Sequence, residues 1–239
     1  MKRTLIFLFT LIISVNTAKS QAALLVLILG DKAATENFYF SLKGGIGFSN
    51  LADLSGADYK LGVHFGLSNN VRINNRWDFV PEFMPLSWKG AQDLDYKITG
   101  VPQLDTMNIR DVSRSRNLNY VDIPLLMRYK ITDRIRFEFG PQVSILTSAR
   151  DRYEATILEE NDLIYTINRK DELTGMDYGF VLALGYALTD FSTGKGMEFY
   201  LRYYEGFQDI SKISGESYRN RVFQVSVSFP FILPTESTE

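Results

Sequence analysis

His64 is the only histidine in the 239-residue chain, and there is no cysteine. The missing thiols remove disulfide frameworks, thiolate metal sites and cysteine nucleophiles in one step. No G-x-S-x-G, H-E-x-x-H or phosphate-loop pattern occurs either. A hydrolase in a membrane needs its histidine beside a serine or aspartate near the outer rim. His64 instead stands mid-way along an alternating stretch, between Gly62 and Gly66. Its plain reading is a polar side chain in an enclosed space, so no catalytic, cofactor-binding or metal-binding residue is expected. The acidic groups Asp93 and Asp95, then Glu159, Glu160 and Asp162, lack EF-type spacing and read as solvated loop charge. Arg110, Arg114 and Arg116 form a basic counterpart, candidates for contact with anionic sugar or phosphate groups of surface lipid. A net charge of −2 gives no footprint for nucleic acid.

The elements that must carry these residues show best in Asn117–Ala149. Val121, Ile123, Leu125, Met127 and Tyr129 fall on one side of a period of two, opposite Asp122, Arg128 and Lys130. After Thr132-Asp133-Arg134 the alternation resumes, with Ile135, Phe137, Phe139, Pro141, Val143 and Ile145 opposing Arg136, Glu138, Gly140, Gln142 and Ser144. Successive strand side chains point to opposite faces, so this is a β-hairpin. Each arm, at roughly 9–11 residues, is long enough to cross a bilayer as a tilted strand. Six further segments alternate in the same way, near Phe38–Ser49, Tyr59–Ser68, Trp77–Trp88, Asp177–Leu188, Met197–Glu205 and Arg221–Phe231. The expected fold is therefore all-β: an eight-stranded antiparallel up-and-down barrel over residues 37–231.

The amino terminus reads as an export signal over residues 1–20. Lys2 and Arg3 precede the apolar run Leu5–Ile13, and Ala18-Lys19-Ser20 sets small residues before Gln21. Residues 21–36 hold a second short apolar run, Ala22–Leu29, whose role the sequence leaves open, and 232–239 form a tail. Mean hydropathy is −0.09, too low for a bundle of membrane helices. Only a closed barrel could span a membrane, because only closure pairs every backbone polar group.

Alternation alone does not say which face looks outward, since a soluble lipocalin-like barrel turns its apolar face in. The polar face decides in favour of lipid outside. It carries Gly62, Gly66, Gly140, Gly179, Ala183, Gly185 and Ala187, which suit a cramped interior and would be wasted on a wet surface. Its charges, Lys60, Glu82, Arg128, Arg136, Glu138, Glu198 and Arg202, can pair there as a network filling the lumen. Trp77, Trp88, Tyr120, Tyr129 and Tyr186 fall near strand ends, as interfacial girdles require. Short connections (69–76, 132–134, 189–196) alternate with long ones (89–116, 150–174), the sorting of periplasmic turns and outer loops. Tyr153, Ala155 and Ile157 against Ile164, Thr166 and Asn168 predict a hairpin that continues beyond the membrane.

The run Tyr120-Val121-Asp122-Ile123-Pro124-Leu125-Leu126 leading to Arg128-Tyr129, the Gly140-Pro141 step, and the strand Lys43-Gly44-Gly45-Ile46-Gly47 resemble the PorT-type outer-membrane β-barrel family over about Phe38–Phe231. The resemblance implies a small barrel of the bacterial outer membrane with no assigned activity, and its association with secretion is not carried over. The expected protein is a non-enzymatic barrel with a structural or surface-interaction role. Its expected partners are outer-membrane lipid, with lipopolysaccharide or a surface or periplasmic protein as further candidates, and no cofactor. The competing readings are an outer-membrane enzyme acting on lipid or peptide and a soluble periplasmic lipocalin-like barrel.

Overall fold

The computed structural model describes residues 37–94, 110–157, 161–188 and 196–231, so the export signal, the Ala22–Leu29 run and the carboxy-terminal tail lie outside it. Nine strands are present among the described residues: β1 Phe38–Ala52, β2 Asp58–Arg72, β3 Trp77–Gln92, β4 Arg110–Lys130, β5 Ile135–Ile157, β6 Asn161–Asn168, β7 Met176–Ala187, β8 Glu198–Gly206 and β9 Arg219–Phe231. Every pairing is antiparallel. The sheet runs β4-β3-β2-β1-β9-β8-β7-β5-β6, and β4 also pairs with β5. That last pairing closes a ring of eight strands and leaves β6 outside it, paired among the described residues with β5 alone. Closure removes the sheet edges that a bilayer would leave unpaired.

The faces follow the alternation. Leu61, Phe83, Leu184 and Leu201 are at least half exposed on the outside, while Lys43, Glu82, Arg128, Glu138 and Glu198 are buried in the lumen. Apolar outside and charged inside is the arrangement of a lipid-embedded barrel and the inverse of a soluble one. Two close approaches need glycine. A Cβ at Gly140 would lie 2.1 Å from the Leu125 carbonyl oxygen, and one at Gly185 would lie 2.4 Å from the Tyr200 ring. Pro85 falls in an irregularity of the β3–β4 ladder, between Met84 and Ser87, where the lost backbone donor is tolerated.

β3, β4 and β5 run past the membrane. The stretches at 89–116 and 150–174, expected as loops, are therefore partly strand, and the hairpin predicted beyond the membrane is β5–β6, with Arg150 opposite Asn168 and Ile157 opposite Asn161. Above the ring, β4, β5 and β6 make a three-stranded sheet. Leu173, Ile210 and Tyr218, from connections on the same side, pack on Leu51, Leu118 and Leu146 and cap the mouth with an apolar cluster.

Candidate functional site: the lumen network and the outer sheet

The lumen is filled in tiers. Arg128 and Glu138 face each other in the β4–β5 register and pair at 2.7 Å. Lys43 of β1 reaches Glu82 of β3 at 2.7 Å and Glu138 at 3.4 Å. Arg202 of β8 crosses the barrel to grip both Glu82 oxygens at 2.7 Å each. Nearer the short-turn end, Asp78 accepts Lys130 at 2.9 Å, and Arg136 pairs with Glu198. The Tyr200 ring lies 4.0 Å below the Lys43 ammonium, adding a cation–π contact. Buried charges paired in this way help to fix a unique interior, and losing one partner of a pair is costly.

A second tier stands on Asp122, which accepts Ser87 at 2.6 Å and Lys89 at 2.9 Å. Lys89 also donates to Ser144 at 3.1 Å. Above it, Asp177 accepts Tyr204 at 2.9 Å and Asn220 at 2.8 Å. At the mouth, Asp151 holds Arg114 at 2.6 Å and Arg116 at 2.7 Å, with Arg169 at 3.5 Å. Arg116 also donates to the Tyr218 hydroxyl. Burial pushes the Asp151 carboxyl up, but the Arg116 and Arg114 guanidiniums outweigh it and leave it below the usual aspartate value.

Six of the seven charges expected in the lumen are brought together there: Glu82, Arg128, Arg136, Glu138, Glu198 and Arg202. Lys60 is not with them. Its side chain lines an outward-facing cavity at the rim with Asn117 and Arg150. The three arginines proposed for surface lipid divide differently. Arg114 and Arg116 share the parity of Asp122 and Arg128, so they turn inward onto Asp151 and away from lipid. Arg110 opens β4, and its side chain lies outside the described residues. Tyr120, expected in a girdle, is likewise inside, accepting from Asn220 at 3.2 Å. Trp77, Trp88, Tyr129 and Tyr186 do face outward, and Trp77 packs on Tyr129 with ring centroids 4.8 Å apart.

Sequence reasoning omitted Lys43, Asp78, Lys89, Asp122, Asp151 and Asp177 from the network. Parity alone could have supplied Lys43, Asp78, Asp122 and Asp177. Lys89 and Asp151 could not be found that way, because bulges near Pro85 and Thr147 reverse the parity before the chain reaches them. His64 also has a partner the sequence did not show: its Nε2 lies 2.7 Å from the Ser226 hydroxyl. Both side chains are almost wholly enclosed. The contact ties β2 to β9 across β1, and neither group meets a surface from which a substrate could approach.

A closed eight-strand ring with a lipid-facing apolar belt is now in place, and the family model for the outer membrane protein beta-barrel domain matches residues 30–212. The chain belongs to that family. It is a β-barrel of the bacterial outer membrane. Among curated proteins no sequence relative matches. Solved structures that it resembles include the attachment invasion locus protein Ail of Yersinia pestis bound to the heparin analogue sucrose octasulfate, with 8% identity and a TM-score of 0.44, covering 82% of this chain and 99% of that one. The Neisserial surface protein A matches at 12% identity and a TM-score of 0.38, covering 81% and 97%. OprG of Pseudomonas aeruginosa matches at 10% identity and a TM-score of 0.32, covering 84% and 99%. With scores this low, none of them carries an argument about this chain's role.

Proposed function

We propose that this barrel is a non-enzymatic surface-interaction protein whose working part is the β4–β5–β6 sheet above the membrane. The single observation that carries the reading is the free edge of β6, which pairs with β5 alone among the described residues. Edge strands offer a row of unpaired backbone groups, and proteins that do not use them usually blunt them with Pro, Lys or a bulge. β6 (Asn-Asp-Leu-Ile-Tyr-Thr-Ile-Asn) carries neither Pro nor Lys, and Ile164 is 59% exposed. An extended segment of a protein partner fits such an edge by strand addition. The tiers of paired side chains in the lumen support a structural interior rather than a general pore. The enclosure of the His64–Ser226 pair supports a role without catalysis. The narrower likeness to PorT-type barrels rests on Ile123–Tyr129 and Gly140-Pro141, and no secretion role is proposed from it.

The test is photo-crosslinking on intact cells, with a benzophenone side chain placed at Ile164 or Thr166 of β6 and, as a control, at lipid-facing Leu201. Discrete protein adducts from the β6 positions and not from Leu201 are expected. Their absence at both β6 positions in a folded barrel would sink the reading.

A further inference from the structure

The bulge that turns Asp151 inward also turns its neighbours Arg150 and Arg152 outward, on the face of the outer sheet that continues the lipid-facing side of the barrel. In the ladder, Asn117 stands opposite Arg150 and Ser115 opposite Arg152. Lys60 of β2 approaches from the other side. The Ser49 hydroxyl donates to the carbonyls of both Lys60 and Gly90, and Gly90 is opposite Asn117 with no side chain of its own. The result is a cavity of about 350 Å³, within the size range of small-ligand sites. Its lining residues are all polar or charged.

The charge balance is one-sided. Three cations, Lys60, Arg150 and Arg152, line the cavity with one carboxylate, Glu154, which pairs with Arg152 at 2.7 Å. Lys60 and Arg152 line the same small cavity, two like charges brought close together. An anion in the cavity would relieve that crowding. Asparagine amides and serine hydroxyls supply neutral donors beside the two guanidinium forks, the donor set that suits phosphate oxygens.

The height of the cavity identifies the source of the anion. Asn119, at its floor, is directly opposite outward-facing Trp88, and tryptophan marks the headgroup level. Strands of such a barrel tilt by about 35–45°, so a rise of about 3.4 Å per residue along the strand sets Asn117 and Arg150 roughly 5 Å above that girdle and Arg152 roughly 10 Å above it. The polar headgroup layer occupies about 5–8 Å on each side of the hydrocarbon. Arg150 and Lys60 therefore sit among headgroups, with Arg152 just above them.

We propose that Lys60, Arg150 and Arg152 form a binding site for a phosphorylated headgroup of an outer-leaflet lipid, laid against the face of the β4–β5–β6 sheet that continues the lipid-facing side of the barrel. This site is distinct from the β6 edge and stands or falls separately from it. It also replaces Arg114 and Arg116, whose side chains are committed to Asp151, as the chain's lipid-facing cations.

The experiment titrates the full-length mature barrel, refolded in zwitterionic detergent, with diphosphoryl lipid A and with the same lipid after enzymatic dephosphorylation, reading bound lipid by native mass spectrometry. The parent should bind the phosphorylated lipid at least about ten-fold more tightly, a difference of about 1.4 kcal/mol. The triple variant Lys60→Gln/Arg150→Gln/Arg152→Gln should lose that preference, Arg150→Gln alone should lose part of it, and Lys212→Gln, on an exposed connection, should keep it. None of these side chains is fully buried, so each variant should retain the parent's gel-mobility shift between unboiled and boiled samples. Equal binding of the two lipids by the parent would overturn the proposal, as would parental discrimination in the triple variant. Full competition by inorganic phosphate at the concentration of the lipid would overturn the assignment to a headgroup.

Discussion

Replacing Glu138 with alanine tests whether the lumen is held by its charges. The carboxylate is fully buried and meets Arg128 at 2.7 Å, Lys43 at 3.4 Å and Arg202 at 3.7 Å. Its removal leaves Lys43, Arg128 and Arg202 sharing Glu82 and a distant Asp78, which lies 3.8 Å from Arg128. Breaking a buried pair by deleting one partner costs about 3–5 kcal/mol, because the surviving charge stays desolvated. At about 1.4 kcal/mol per decade, that raises the unfolded fraction roughly a hundred-fold to several thousand-fold. For a domain of this size the thermal midpoint should fall by about 6–20 °C. The assay is urea unfolding in lipid vesicles, followed by the fluorescence of Trp77 and Trp88, which lie on the outer face near opposite ends of β3. Glu138→Gln keeps a hydrogen-bonding group without the charge and should fall between the parent and Glu138→Ala. The double variant Glu138→Leu/Arg128→Met, which removes both charges and keeps apolar volume, should be less destabilised than the sum of its parts. If Glu138→Ala unfolds within about 0.5 kcal/mol of the parent, as an ordinary surface substitution would, the closed charged interior is wrong.

Other perturbations reach the remaining tiers. Gly140→Ala places a Cβ against the Leu125 backbone oxygen, which has little room to yield, so it should cost about 1–3 kcal/mol in the same assay. Gly175→Ala, with nothing within 4 Å of the added carbon, should be neutral beside it. Asp151 titrates below its ordinary value in the folded state, so its contribution is complete above the unfolded-state pKa of about 3.9 and is lost as pH falls through the lower folded value. Hydrogen-exchange protection of Arg114–Arg116, corrected for intrinsic rates, should therefore be flat from neutrality to about pH 5 and drop only below about pH 4. Asp151→Asn should lower that protection at neutral pH and flatten the acid drop; a steep loss between pH 5 and 7 would contradict the pairing.

The sequence was legible wherever the environment on the two sides of a strand differed. Inside the membrane one side meets lipid and the other a packed lumen, so Phe137, Phe139 and Val143 separate from Arg136, Glu138 and Gly140 by parity alone. Above the membrane one side of the sheet still packs on the capped mouth, but the other is wet and carries polar residues. Ser115, Asn117 and Asn119 then alternate with Arg114, Arg116 and Leu118, and the contrast that marks a strand fades. The arginines at 114 and 116 read as loop cations for that reason. Had β4 been extended upward from Asp122 without a change of parity, both would have been placed inside.

Composition and period two by themselves determined an eight-strand closed barrel, its apolar belt, and most of the charges inside it. Those follow from the chain alone because alternation is a local property of strand geometry. Tertiary structure decided the rest. The bulges near Pro85 and Thr147 reverse which residues face inward, sending Lys89 and Asp151 into the lumen and Arg150 and Arg152 out. Closure of the ring brings Lys43, Glu82, Glu138 and Arg202 together from four strands, the Glu82–Arg202 contact alone joining residues 120 apart in sequence. Among the described residues β6 pairs with β5 alone, which leaves an edge that no residue type announces. Each depends on a register between strands, and register is fixed only when the neighbouring strand is in place.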